Sequence, residues 1–269
     1  MIHVAIVSHG HEALLIAKQM GGLLPAVLAD DDIRLWVKDN RPAASLADYC
    51  KTHGIFYTDA QAGLGFGENN NLLFQTIEQN CGFKQGDIFL VMNPDVSIEA
   101  AKLHQFAAQM ITSGHAIACL NLFRDAAMQI EDQNIRHFPG MLSILQMPVR
   151  NSFSETYNKD QITEALTEMT VEWASGAFLG FTPEHFKKLG GFDKRYFMYF
   201  EDVDICYRSR KDLQQAVYFY PQLKAIHSAA HRNRNLASRH ALWFFQSFFK
   251  FLLKRYLGWG RAPQQGPKA

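Results

Sequence analysis

Cysteine is scarce in this chain, acidic residues stop at Asp212, and no uncharged apolar run is long. Each absence excludes something. The four cysteines, Cys50, Cys81, Cys119 and Cys206, are far apart and form no CxxC pair. That argues against a disulfide framework or a zinc site and reads as reduced thiols. The N-terminal MIHVAIVSHG has no basic n-region, and its apolar run is too short for a signal peptide. No apolar stretch reaches the roughly 20 residues that a spanning helix needs. A GK[ST] phosphate loop is absent as well. These gaps predict a cytoplasmic, unexported protein.

What is present is a folded composition with divided charge. Of 269 residues, 48% are hydrophobic and 20% charged, which excludes disorder and collagen-like structure. The formal net charge is only +1, yet residues 1–212 carry 18 basic and 26 acidic side chains, and residues 213–269 carry 9 basic and none acidic. Such asymmetry points to a tail that meets an anionic surface.

Apolar runs at Ile2–Val7, Ile33–Val37, Gly54–Tyr57, Asp87–Met92 and His115–Leu120 alternate with helical patterns at 12–23, 43–52, 69–80 and 97–112. This alternation predicts βαβ units and a mostly parallel sheet. Residues 121–170 are irregular. Beyond them, VEWASGAFLGF reads as a strand, 183–189 and 202–211 as helices, and 216–220 as an edge strand. In such folds ligands sit beyond the carboxyl ends of the strands. Ser8, Asp39-Asn40 and Asn93-Pro94-Asp95 each follow a strand there.

Three local patterns could carry chemistry. Asn93-Pro94-Asp95 can hold a hard divalent cation through its carboxylate, or simply form a turn that caps the next helix. The glycines of Gly63-Leu64-Gly65-Phe66-Gly67, before Glu68-Asn69-Asn70-Asn71, allow close backbone approach at a helix start that attracts phosphate. As a bare pattern, a flexible turn is the more frequent explanation. Glu201, Asp202 and Asp204 follow an aromatic run. Asp202 and Asp204 lie about 200° apart on a helix, so one can face a pocket while the other pairs with Arg208. A carboxylate facing a sugar hydroxyl suits a general base.

These pieces, in this order, resemble the family 2 inverting glycosyltransferases of GT-A fold, and within them the rhamnosyltransferase-like branch. The matching segments are IVSHG, VKDN, GLGFGENNN, FLVMNPDV, WASGAFLGF, GGFDKRYFMYFEDVDICYR and AIH, spread over roughly 1–230. The resemblance implies an α/β nucleotide-diphospho-sugar transferase domain, with a donor half at 1–120 and an acceptor half at 121–230. It implies donor contacts at Ser8, Asp39, Asn40, Gly65, Phe66, Gly67, Asn70, Asn71, Asn93 and Asp95. Asp95 would hold Mg²⁺ or Mn²⁺, helped by His227. Asn93 replaces the commoner first aspartate of that motif. Trp173, Gly176 and Ala177 resemble the acceptor side, and Asp202, beside Glu201, matches the catalytic base. The implied partners are a dTDP- or UDP-sugar and a saccharide or polyprenyl-linked saccharide acceptor. The alternative is a non-catalytic GT-A-fold module that binds saccharides or scaffolds other proteins.

Residues 236–257 read as a helix within a basic amphipathic tail at 231–260, and 261–269 as a disordered end. Arg239, Gln246, Ser247, Lys250 and Lys254 gather on one face, and Phe244, Phe245, Phe248, Phe251, Leu252 and Tyr256 spread over the other. A basic helix with an aromatic face suits a membrane surface. Packing on the domain or on a second copy of the chain is the competing reading. No nucleic-acid module is present. On the membrane reading the protein sits on the inner face of the cell membrane. Deleting 236–269 would then release it from membranes and spare activity on a soluble acceptor.

Overall fold

Apolar runs buried on both faces become the central strands, as a sheet covered by helices on two sides requires. The computed structural model describes residues 1–29, 32–143, 153–162, 165–228 and 239–258. Its strands are β1 (Ile2–Ser8), β2 (Ile33–Asp39), β3 (Phe56–Thr58), β4 (Ile88–Met92), β5 (Val96–Ser97) and β6 (Ile117–Phe123), then β7 (Ile135–Arg136), β8 (Met169–Val171), β9 (Trp173–Ala174), β10 (Phe178–Phe181) and β11 (Val217–His227). Its helices are α1 (Glu12–Ala17), α2 (Leu24–Ala29), α3 (Ala44–Thr52), α4 (Phe66–Asn80), α5 (Ala100–Thr112), α6 (Pro183–Lys188), α7 (Glu201–Asp212) and α8 (Arg239–Leu257).

The main sheet runs β3-β2-β1-β4-β10-β6-β11-β5, with β8 also on β11; β7 and β9 form a separate ribbon. β3, β2, β1 and β4 are mutually parallel, and β10 inserts antiparallel between β4 and β6. Alternate strand residues feed two cores, as the period of two demands. Val4, Leu35 and Leu90 pack with α1, α2, α3 and α5. Ala5, Trp36 and Phe89 pack with α4, α6, α7 and α8. Strand order reverses around β1, and there Ser8 lies opposite Asp39.

The structure differs from the pattern reading in four places. The helix expected over 12–23 stops at Ala17, because Gln19, Met20, Gly21 and Gly22 all have positive φ. The strand expected from Val171 breaks between Ala174 and Phe178, so β9 and β10 lie in different sheets. The edge strand expected at 216–220 is an interior strand that continues to His227, parallel to β6 on one side and antiparallel to β8 and β5 on the other. Its register shifts between Tyr220 and Lys224, where Pro221 cannot donate to the ladder.

The fourth difference is α8. Ser247 and Lys254, expected on a solvated basic face, are buried along with Phe248 and Phe251. Lys254 is 2% exposed, and its Nζ lies 2.5 Å from Asp204 Oδ1 and 2.8 Å from Asp193 Oδ2. Two carboxylates under the helix thus turn the cation inward, and the apolar residues Leu242, Phe249, Leu253, Tyr256 and Leu257 face out. Among the described residues no helix is long and apolar enough to cross a membrane. The disordered end expected at 261–269 lies outside the described residues.

Candidate active site

The residues expected on the donor side are organised by the ends of β1 and β2. Ser8 and Asp39 are fully buried, and the Asn40 N–H donates to the Ser8 carbonyl at 2.8 Å. Asp39 accepts from the N–H groups of Arg41 and Ala43 and from the Tyr57 hydroxyl. Asn40 ties this edge to the glycine loop: its Oδ1 accepts from Gly63 N–H at 2.8 Å and its Nδ2 donates to the Leu64 carbonyl at 2.9 Å.

That loop lies against the segment before α7. Phe66 N–H donates to the Phe197 carbonyl at 3.1 Å. A Cβ on Gly65 would sit 2.2 Å from the same oxygen, so only glycine allows this approach. Gly67 packs on Phe192. Asn70 donates to the Phe66 carbonyl, while its buried Oδ1 has no hydrogen-bond partner. Asn71 clamps Phe192 through both polar atoms at 2.8 Å. Its amide is thereby committed to the protein backbone.

Next to the loop stands the acidic helix. Tyr199 and Phe200 both have φ of 68°, a left-handed conformation that is costly for aromatic residues. Phe200 holds it inside a cluster with Phe153, Phe244, Phe248 and Phe251. The turn separates the two carboxylates that follow. Glu201 points inward, and its Oε2 is buried without a partner. Burial, and then the charge of Asp202, push its carboxyl well above the ordinary range. Asp202 stays half-buried, accepting from Gly176 N–H at 3.1 Å and Val203 N–H at 2.8 Å. Burial raises its pKa too, against the opposing pull of those N–H donors. A Cβ on Gly176 would lie 3.1 Å from the Phe66 ring and 3.6 Å from Asp202 Cβ. Phe66, Gly176 and Asp202 are therefore neighbours.

A second centre forms at the end of β4. Asn93 N–H donates to the Ala177 carbonyl at 2.9 Å, which links it to the first centre. β5 pairs with the end of β11, Val96 opposite His227, and this brings Asp95 to His227. Asp95 Oδ1 is 3.3 Å from His227 Nε2, and Asp132 Oδ2 is 2.6 Å from His227 Nδ1. Burial alone would lower the pKa of His227, but hydrogen bonds to Asp132 and Asp95 outweigh it and raise it to about 9. The two carboxylates are held low by the same contacts against their burial. Among the described residues no cluster of three or more His, Cys, Asp or Glu side chains is arranged to hold a metal ion. The candidate donor set is the pair Asp95 and His227.

Trp173 is packed rather than displayed: it is buried, donates to the His137 carbonyl at 2.9 Å and lies beside Phe153. Asp132 and Lys159 were missed in the sequence because they lie in the irregular stretch, where no periodicity or motif marks them. Arg232 and Arg234, further candidates for the diphosphate, lie outside the described residues.

The sheet is mixed rather than mostly parallel as expected, with four parallel and four antiparallel pairings, because β10, β5 and β8 each join antiparallel. With polar residues at the ends of β1, β2 and β4 and the Asp202 carboxylate near the glycine loop, it fits a glycosyltransferase of GT-A fold. Two solved structures share the architecture at 11% identity. GalNAc-T7, with UDP, GalNAc and Mn²⁺, matches 94% of this chain and 47% of its own, at a TM-score of 0.66. The mannosyltransferase PcManGT from Pyrobaculum calidifontis, with GDP-Man and Mn²⁺, matches 97% and 65%, at 0.58. No protein-family model matches the chain. By sequence it is 30% identical over 260 residues to rhamnosyltransferase WbbL of Escherichia coli, covering 95% of this chain and 94% of that one. A segment of 114 residues is 36% identical to the N-acetylglucosaminyl-diphospho-decaprenol L-rhamnosyltransferase of Mycobacterium tuberculosis, covering 42% and 36%. The chain belongs to the rhamnosyltransferase family that includes WbbL.

Proposed function

We propose that this chain transfers L-rhamnose from a nucleoside-diphosphate donor, dTDP-rhamnose before a UDP-sugar, to a lipid-linked saccharide, with inversion, as a family 2 enzyme. The half-buried Asp202 beside Phe66 and Gly176 is the observation that carries this reading. Asp202 removes the proton of the acceptor hydroxyl, which attacks the anomeric carbon in a single displacement. Burial and the charge of Asp202 raise the pKa of Glu201, which favours leaving the charge on Asp202. Asp39 and Asn40 hold the base side, and the loop at Gly65–Gly67 closes over the nucleotide.

Asp95 and His227 fit a divalent cation. One hard oxygen and one imidazole nitrogen converge, a set that Mn²⁺ or Mg²⁺ accepts when phosphate oxygens complete the shell. Such an ion, when bound, neutralises charge on the leaving diphosphate. Thermal shift with dTDP-, UDP- and GDP-sugars, with and without Mn²⁺, tests the donor. The expected result is a shift with dTDP-rhamnose that grows with metal and is lost in Asp95→Ala. No metal-linked shift with any nucleotide would favour a non-catalytic module.

The outer face of α8 supports an anionic bilayer as the place of work. Leu242, Phe249, Leu253, Tyr256 and Leu257 are exposed in one stripe, and Leu257 is 75% exposed. The chain beyond Asp212 is basic throughout, and each Lys or Arg near an anionic surface adds about 1 kcal/mol. The double variant Phe249→Glu, Leu253→Glu is expected to stop floating with phosphatidylglycerol vesicles while remaining folded. Unchanged flotation would overturn this, and a change from dimer to monomer would assign the stripe to a second copy.

A further inference from the structure

We propose that Asp132 is a positioning residue of the candidate metal centre: its carboxylate takes the Nδ1–H of His227 and so aims Nε2 at Asp95 and the diphosphate. The inference rests on the metal reading above but uses only contacts within this chain.

The position of Asp132 is strongly determined. It closes a tight hairpin after β6, in which Arg124 N–H donates to the Ile130 carbonyl and Asp132 N–H to the Leu122 carbonyl, both at 2.8 Å. The Asp125 carboxylate holds the tip by accepting from Gln129 and Ile130 N–H groups. From beneath, the buried Lys159 ammonium donates to the Asp132 carbonyl at 2.6 Å and to the side-chain oxygens of Asn121 and Asn134 at 2.7 Å. All three ammonium protons are thereby used on neighbours that frame Asp132. Arg124 Nε stands 3.6 Å from Asp132 Oδ1. The other carboxylate oxygen, Oδ2, meets His227 at 2.6 Å.

An imidazole ligand has two nitrogens and one free ring torsion. A carboxylate on Nδ1 fixes the ring plane and retains the proton there, so Nε2 is the nitrogen that gives up its proton to bind a cation. Without it the ring can turn, and Nε2 loses its aim. β11 delivers His227 to the site, and the hairpin decides which nitrogen faces Asp95.

The test uses the full chain with Asp132→Ala and the isosteric Asp132→Asn. Free Mn²⁺ is measured by electron paramagnetic resonance in the presence of dTDP. Affinity is expected to fall about 10–100-fold in both variants. In parallel, the metal-free protein labelled with ¹⁵N-histidine is expected to show an exchange-protected Nδ1–H of His227, distinguished by its nitrogen shift and couplings from the Nε2–H that faces Asp95. That signal is identified by its loss in His227→Gln, and it should disappear in Asp132→Ala. Unchanged Mn²⁺ affinity in a folded variant, or a surviving protected Nδ1–H in Asp132→Ala, would overturn the proposal. If the wild-type protein binds no Mn²⁺ with nucleotide, the metal reading fails by itself, and the ring N–H still reports whether Asp132 holds the histidine.

Discussion

Asp202→Asn is expected to lower rhamnosyl transfer by about 10²–10⁴-fold, the usual contribution of a general base. Donor binding should change little, and the melting temperature should fall modestly. Gly176 N–H donates to one carboxylate oxygen and Val203 N–H to the other, so the amide oxygen keeps one of the two contacts while the base is lost. Glu201→Gln is the control. Burial and the charge of Asp202 raise the pKa of its carboxyl, which favours the neutral form, so an amide of the same shape should cost far less than the change at Asp202. The pH profile follows from the same environment. Burial raises the pKa of Asp202, and a base works only when deprotonated. Turnover should therefore decline as pH falls through that raised value, at a pH above the ordinary aspartate range. Initial rates with dTDP-rhamnose and a polyprenyl-linked acceptor measure all three effects. Equal losses at both positions would remove Asp202 from its role.

The second large effect is expected at Lys254. Removing one member of a buried ion pair costs about 3–5 kcal/mol, because the other charge is left uncompensated. Asp204 is 0% exposed and keeps Arg208 at 2.7 Å, so Lys254→Ala should fall near the lower figure, about 3 kcal/mol. For a chain of this size that is roughly a 6–12 °C loss in melting temperature. Lys254→Met, which loses the ammonium over the Tyr196 ring but keeps an apolar side chain of similar length, should lose less. Urea denaturation of the two variants decides it. The geometry also changes the expectation for truncation. Removing α8 strips Phe244, Phe248 and Phe251 from around Phe200 and leaves Asp193 and Asp204 without Lys254. A chain ending before 239 should be insoluble or unfolded, rather than a soluble enzyme released from membranes.

Much of the fold could be read from the chain because its signals are local. The runs IHVAIVS, IRLWVKD and IFLVM are rich in apolar residues, and each ends in, or directly precedes, a polar residue proposed for the site. Asn93-Pro94-Asp95 and Glu201-Asp202 stood out for the same reason. Features that depend on distant partners were illegible. Lys254 looked solvated because a lysine in a helix usually is; only Asp193 and Asp204, 61 and 50 residues away in the chain, turn it inward. Asp132 carries no local mark, since its meaning comes from His227, 95 residues later. The length of β11 was hidden by Pro221, which reads as a strand end and is instead accommodated at a register shift.

The position of α8 also has a consequence for biosynthesis. Chains emerge N-terminal end first, and their domains fold as units. Here the N-terminal strands β1, β2 and β4 are synthesised long before Phe248 and Lys254 exist. Until they emerge, Phe200 has no aromatic enclosure to hold its left-handed turn, and the carboxylates beneath are uncovered. The nascent protein can therefore assemble the proposed donor residues early but gains the geometry around Asp202 only once α8 has emerged. A message truncated late in translation should yield a product without transferase activity.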